Sequence, residues 1–292
     1  MTLQSVLASG AFAVTAEVGP LKGTDITELT EVARLLQGKV HAVNVTDQQS
    51  SVMRLGSLTV SHLLLDMGLE PVFQMTCRDR NRIALQSDLL SASVLGIKNV
   101  LAITGDLPQL GDHPQAKPVY DLDSVQLLSV IAKLNSGFDM NGNALKGKTD
   151  FFSGAVVNPG ANTETGLKFQ LLKMEKKMEA GAKFFQTQAV FEPEEFYQFI
   201  KKTEAFRIPI LAGIIPLKTA GMARFMNKNV AGVNVPEPLI KKMSDAKDKT
   251  QTGIEIAASL IRELSRICQG VHIMPIGWEA KVPQILASAG VA

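Results

Sequence analysis

Cysteine is almost missing from this chain: Cys77 and Cys268 are the only two among 292 residues. Such a pair cannot build a disulfide framework, and it cannot ligate an iron–sulfur cluster without help from another chain. A reducing, cytoplasmic setting is the expectation. Aromatic residues make up only 5%, with one Trp, and the net charge is +2. No basic run is interleaved with aromatics, so the footprint of a nucleic-acid binder is missing. No apolar run approaches the roughly 20 residues that a membrane helix needs. The N-terminal stretch MTLQSVLASGAFAVTAEV has no basic segment ahead of its apolar residues, and no secretory signal is expected. The histidines His41, His62, His113 and His272 show no metal-ligand spacing; they read as core or surface residues, and no metal site is expected. There is no GxGxxG or Walker loop, no nucleophile–His–acid order and no repeat at solenoid spacing.

What the chain does have is a regular alternation. Hydrophobic residues reach 46% against 20% charged, enough for a substantial core. Strand-like runs fall at 12–18, 40–45, 71–76, 98–103, 151–157, 184–189, 208–214 and 271–275. Helical spacing of apolar residues separates them, at 25–37, up to about 67, at 83–95, 123–134, 167–180, 192–204, 219–227, 238–242 and 252–267, with 280–289 closing the chain. Eight strands, each followed by helix and with no composition shift along the chain, predict one α/β domain over 1–292, a single (β/α)8 TIM barrel.

The stretch from Val100 to Pro108 organises this reading. Val100 to Ile103 is a short apolar run, as in a strand covered on both faces. Gly105 permits an unusual φ or a close backbone approach, and Pro108 prevents the turn from continuing as strand. Asp106 therefore lies just past a strand's C-terminal end, where α/β barrels carry their chemistry; an aspartate that merely caps the turn is the alternative. The Pro-, Gly- and Asp-rich loop from 107 to 121 is too long for a routine βα connection. It reads as a lid or ligand wall, with a disordered surface insertion as the other reading.

The other strand ends converge on the same mouth. They contribute Glu17, Thr46, Gln74 with Thr76, Asn158, Gln186 with Gln188, Pro216, and Pro275 or Gly277. Two carboxylates, Glu17 and Asp106, thus come from opposite sides with hydroxyls and amides between them. Lys173, Lys176 and Lys177 fall on one side of the helix after the fifth strand. Ammonium groups there suit a phosphate-bearing cofactor, and a plain solvated helix face fits the same pattern. Cys77, one place past a strand end, reads as a small buried packing residue.

These residues together resemble the methylenetetrahydrofolate reductase family. The pieces are Thr15-Ala16-Glu17, Thr46, Gln74-Met75-Thr76-Cys77, Thr104-Gly105-Asp106-Leu107-Pro108, Glu179-Ala180-Gly181-Ala182, Thr187-Gln188-Ala189-Val190-Phe191 and Gly213-Ile214-Ile215-Pro216. They occur in order from about residue 10 to the end. The resemblance implies a flavin-binding (β/α)8 barrel, with FAD and FMN both open. It implies reduction of 5,10-methylenetetrahydrofolate to 5-methyltetrahydrofolate by hydride transfer from reduced flavin N5. Glu17 matches the family's general acid, and Asp106 matches the aspartate near both flavin and pterin. Gln188 matches the pterin-contacting glutamine. Thr46, Gln74, Thr104, Gly105, Asp106, Tyr120, Lys176 and Lys177 fall at cofactor-binding positions. One acid would be a proton donor and the other a fixed anion, their environments pushing them apart.

Departures from the family pattern carry information too. Gln74 stands where many relatives have histidine, Ala220-Gly221 where some have an aromatic, and Trp278 where enteric-type relatives have a positive residue. Val156-Val157-Asn158-Pro159 replaces an aromatic-then-acid stretch. The pattern is similar to reductases of anaerobes and acetogens, which work in hetero-oligomers with a partner subunit carrying iron–sulfur or other metal centres. Two rival readings stand beside this one. One is a folate- or pterin-binding barrel that transfers a methyl or pterin group without redox chemistry; the other is a non-catalytic scaffold subunit.

Overall fold

The computed structural model describes residues 1–161 and 163–291. Eight parallel strands close into a barrel in sequence order, and the last pairs with the first. They are β1 Ala13–Val18, β2 Ala42–Val45, β3 Pro71–Thr76, β4 Asn99–Ile103, β5 Phe152–Val157, β6 Phe184–Ala189, β7 Ile210–Ile214 and β8 Gly270–Ile273. The expected (β/α)8 barrel is therefore what forms. The helices around it are α2 Thr27–Leu36, α3 Ser57–Asp66, α4 Arg82–Val94, α5 Ser124–Ser136, α6 Glu164–Glu179, α7 Pro193–Thr203, α8 Ala220–Asn229, α9 Glu237–Asp245, α10 Lys249–Leu264 and α11 Val282–Ala289. Their starts follow local chemistry. Asn81 accepts from the Ile83 and Ala84 amides ahead of α4, and Asp123 with Gln126 forms a capping box on α5. Gly137, in the left-handed region, ends α5.

The strands' period of two divides the core. Outward residues such as Val43, Phe73, Val100 and Ala212 pack under the helices. Inward residues Ala13, Ala42, Val72, Leu101, Phe184 and Leu211 form a separate apolar plug at the N-terminal end. That plug is completed by a helix the sequence reading did not contain. α1, Leu3–Ser9, is capped by Thr2 and ended by Gly10 in the left-handed region, and it inserts Leu3, Val6 and Leu7 among the strand residues. Its apolar positions at i, i+3 and i+4 share one face, which is why seven residues suffice as a lid on the barrel floor. Phe152 and Phe184 stack beside it with centroids 5.1 Å apart. The Phe184 ring fills the space where a Cβ on Gly154 would stand. Among the described residues the floor is sealed by carbon, and the polar strand ends lie at the other end of the barrel.

The loop after β4 is ordered, as a wall. It carries a short 3-10 turn at Pro108–Leu110 and is fastened to the loop after β2. Ser51 Oγ donates to the carbonyls of Asp106 and Leu107, each at 3.0 Å. Asp112 accepts from the Met53 amide and from Lys22, and Lys22 holds its carboxyl well below the usual range. Gly111 lies so close that a Cβ there would fall 1.8 Å from the Ser51 carbonyl oxygen. Among the described residues no helix is long and apolar enough to cross a membrane.

Candidate active site

Two hollows open at the C-terminal ends of the strands and run into each other. The larger, about 460 Å³, is lined by Thr46, Gln74, Arg78, Thr104, Gly105 and Asp106, among others. The second, about 390 Å³, is lined by Glu17, Gln186, Gln188 and His272 among others. Gln74, Ile103, Val156, Lys173 and Lys177 belong to both. The two acids therefore border one continuous mouth, Asp106 in its first half and Glu17 in its second. Each half has the size of an ordinary small-molecule site.

Glu17 is buried at the end of β1, with three side-chain nitrogens near its carboxylate. Gln49 Nε2 donates to its Oε1 at 3.1 Å, and Gln74 Nε2 donates to Oε2 at 3.4 Å. His272 Nε2 lies 3.6 Å from the same Oε2. Gln49 and His272 were not expected here. Gln49 arrives through a backbone that reads as an ordinary polar turn, yet Gln48, Ser50 and Ser51 beside it all have positive φ. His272 reads as a core or surface histidine from sequence; barrel closure brings β8 beside β1 and its ring between Thr15 and Glu17.

The Asp106 half is built differently. Asp106 is exposed, and its backbone carbonyl accepts from Ser51 Oγ, Arg78 Nη1 and the Tyr120 hydroxyl. Tyr120 also donates to the Gly105 carbonyl, at 3.2 Å, so it braces this turn from behind. Gly105 has φ +92°, and a Cβ there would meet the Cβ atoms of Thr76 and Arg78 at 3.1 Å. The turn needs glycine for both reasons. Asp47, fully enclosed, accepts from the Thr76 amide and hydroxyl and from Arg80, fixing the loop after β2 to that after β3.

Lys177 is, with Arg78, one of two buried cations that line the larger hollow. Its ammonium donates to the Val156 carbonyl at 2.7 Å, and burial together with neighbouring Lys173 pulls its pKa down to about 8. Lys173 lines both hollows one helical turn earlier. Lys176 lies on the exposed side of α6 and lines neither. Gln188 lines the Glu17 half, at a register shift between β6 and β7 that falls between Gln186 and Ala189. Such an irregularity at a strand end re-aims a side chain. Among the described residues no group of three or more His, Cys, Asp or Glu could hold a metal ion. Cys77 is buried beyond reach, its thiol pushed up to about 12 by desolvation and by Asp123.

The residues fit an anionic ligand with a planar polar ring. Thr46 Oγ1 is buried, lines the larger hollow and has no hydrogen-bond partner. Lys173, Lys177 and Gly105 line the same hollow, the two lysines adding positive charge to it. A flavin, with ring carbonyls and a phosphate, matches that donor set.

Fold and site together define a (β/α)8 barrel whose open end is a two-part, acid-bearing ligand mouth. The family model described as methylenetetrahydrofolate reductase matches residues 2–290, so the chain belongs to the methylenetetrahydrofolate reductase family. It is 26% identical over 238 residues to methylenetetrahydrofolate reductase 2 of Schizosaccharomyces pombe, covering 74% of this chain and 35% of the yeast protein. It thus spans about a third of that relative's length. The 5,10-methylenetetrahydrofolate reductase of Pectobacterium carotovorum is 25% identical over 268 residues, covering 88% of this chain and 83% of that protein. Among solved structures, an uncharacterized Clostridium thermocellum protein superposes with TM-score 0.70 at 16% identity, covering 99% of this chain and 97% of that one. That protein is described as binding two copies of 5-methyl-5,6,7,8-tetrahydrofolic acid; the likeness speaks for the shared barrel.

Proposed function

We propose that this chain is a flavin-dependent methylenetetrahydrofolate reductase that converts 5,10-methylenetetrahydrofolate to 5-methyltetrahydrofolate. One observation carries the reading. Glu17 is a buried acid held by the side-chain amides of Gln49 and Gln74, with His272 Nε2 3.6 Å away, in the half of the mouth next to the hollow that fits a flavin. Thr46, Gly105, Lys173 and Lys177 would hold the flavin in the Asp106 half, with Tyr120 bracing the turn. When bound there, the reduced cofactor supplies the hydride.

The chain's own residues do the rest. Glu17 gives its proton to the folate amine as the methylene bridge opens, and the donors from Gln49, Gln74 and His272 stabilise the carboxylate left behind. Asp106 supplies a fixed negative charge toward the cationic carbon that results. Gln188 orients the pterin from the β6 end. The wall formed by the loop after β4 limits water at the larger hollow.

Any metal-centred electron donor belongs, in this reading, to a partner chain, because the two cysteines here are both buried and separate. Purification with native partners, with NADH, NADPH and reduced ferredoxin offered in turn, identifies the donor, and the flavin released on denaturation is either FAD or FMN. The decisive variant is Glu17→Gln. Flavin binding persists at wild-type affinity while folate turnover falls by orders of magnitude. Unchanged turnover overturns the acid's role, and a purified protein that takes up neither FAD nor FMN overturns the reductase reading.

A further inference from the structure

Below the mouth, the middle of the barrel is polar, and its hydrogen bonds can be assigned one after another. Asn44 Nδ2 donates to Gln186 Oε1 at 2.7 Å, and Gln186 Nε2 donates back to Asn44 Oδ1 at 3.1 Å. This reciprocal pair, between β2 and β6, uses one hydrogen of the Gln186 amide. The other goes to Thr15 Oγ1 at 3.4 Å. The Thr15 hydroxyl accepts there, so its own hydrogen is free for one acceptor. The candidates are His272 Nδ1 at 3.0 Å and the Val271 carbonyl at 3.5 Å. The ring is much the closer. An Nδ1 that accepts carries no hydrogen, so a neutral His272 bears it on Nε2. That atom is the one 3.6 Å from Glu17 Oε2.

We propose that His272 is a positioning residue for Glu17, its ring set by the Asn44–Gln186–Thr15 chain so that Nε2–H is presented to the carboxylate. All four members are almost wholly buried, so solvent does not compete to satisfy them differently. They lie on four strands of a closed sheet, which fixes their spacing. The separation of 3.6 Å is longer than a formed hydrogen bond, as such contacts often are before substrate arrives. With Oε1 held by Gln49 and Oε2 lying between Gln74 and His272, the carboxyl plane is fixed from three sides. The other charged groups bordering Glu17 are Lys173 and Lys177 in one hollow and Glu28, Arg54 and Glu279 in the adjoining one. None of these makes a hydrogen bond to Glu17 among the described contacts, so its orientation rests on the two glutamines and the histidine.

The kinetic part of this inference rests on Glu17 as the acid of the proposed reaction; the tautomer does not. The first test uses wild-type protein labelled with 15N-histidine. Long-range proton–nitrogen spectra at neutral pH are expected to show a pyrrole-type Nε2 and a pyridine-type Nδ1 for His272, identified by the signals lost in His272→Gln. Thr15→Val removes the donor to Nδ1 and is expected to mix the two tautomers. An Nδ1–H ring in the wild type, or a pattern indifferent to Thr15→Val, overturns the proposal, and the wild-type spectrum decides even where a variant fails to fold. The second test compares His272→Gln, which keeps an N–H near the place of Nε2, with His272→Leu, which does not. The leucine variant is expected to lose about ten- to a hundredfold in kcat with little change in KM for the folate, while the glutamine variant stays within a few-fold of wild type. Equal losses in both, or a loss confined to KM, overturn the positioning role. If Glu17→Gln leaves turnover intact, the acid's role falls while the tautomer result stands.

Discussion

Lys177→Met is the perturbation that separates a ligand-binding cation from a structural strut, because the two roles predict opposite signs. Lys177 sits with its side chain buried on α6 and its ammonium bonded to a single carbonyl, that of Val156. Burial and the nearby Lys173 lower its pKa from 10.5 to about 8. That drop corresponds to about 3 kcal/mol of cost for holding the charge in the ligand-free fold. Methionine keeps the packing of the stem and removes the charge. Against the relieved cost stands the bond to Val156, worth about 1.5–3 kcal/mol for a charged donor. Ligand-free Lys177→Met is therefore expected to be as stable as wild type at pH 7, or more stable by about 1 kcal/mol. Flavin affinity moves the other way, falling about ten- to a hundredfold with the loss of a charged contact to its phosphate.

The pH dependence follows from the same shift. The unfolded chain keeps the Lys177 proton up to about 10.5, whereas the native chain releases it near 8. Between those values the unfolded state binds more protons, so wild-type stability rises with pH relative to the variant. Any advantage of Lys177→Met at pH 7 fades across this window. If Lys177 holds the phosphate of the proposed flavin, binding to the wild type is expected to weaken as pH rises through about 8, where the ammonium loses its proton. Urea unfolding of the ligand-free proteins and quenching of flavin fluorescence measure the two effects. A variant that loses more than about 1 kcal/mol while binding flavin unchanged refutes the reasoning, and Lys177 is then a strut.

Other substitutions test separate parts of the structure. Gly105→Ala places a Cβ against Thr76 and Arg78 at φ +92°, and about 1–3 kcal/mol of stability is expected to go, with flavin affinity falling alongside; an unfolding midpoint equal to wild type removes the cradle from the account. Leu3→Ala empties part of the barrel floor, where Leu3 is completely buried, and should cost about 2–5 kcal/mol by urea unfolding. A loss near zero means that α1 does not seal the barrel. Cys77 and Cys268, with thiols pushed up to about 12 and about 11 by burial, are expected to ignore a thiol reagent until the protein unfolds; rapid labelling of either in native protein contradicts the packing described.

Much of this fold could be read before any coordinates. The strands at 71–76 and 184–189 lie where their apolar runs place them, and the others differ by only a few residues at their ends. The eighth is the shortest match, stopping at Ile273 because the backbone leaves the sheet before Pro275. Short continuous runs with Gly or Pro at their borders signal buried parallel strands strongly. α1 was invisible because two turns of LQSVLAS carry no periodicity long enough to distinguish a helix from a loop. The strand-end acids were legible since topology alone carries them to the mouth. Gln49, Arg78 and the facing of His272 were not, because positive-φ loop geometry and the closure of β8 on β1 decide them. Helix phase explains the lysines: Lys173 and Lys177 are four apart and share a face, while Lys176 turns outward.

The barrel interior also explains why such a site is tolerated energetically. Each unsatisfied polar group in a dry core costs about 1–3 kcal/mol, so an amide, a second amide, a hydroxyl and an imidazole stacked inside a barrel would be ruinous if unpaired. Here each finds a partner within the layer, and that layer rests on a floor that is wholly apolar. The floor supplies stability; the layer above it supplies orientation, since the bonds of Asn44, Gln186, Thr15 and His272 leave each side chain a single arrangement. It follows that the layer should respond to mutation unlike the floor. Paired apolar replacement of Asn44 and Gln186 removes donors and acceptors together and should cost little stability, while replacing either alone strands its partner and should cost about 1–3 kcal/mol. A double-mutant cycle by urea unfolding measures this directly, and simple additivity of the two single losses would show that the pair is not the closed unit its geometry describes.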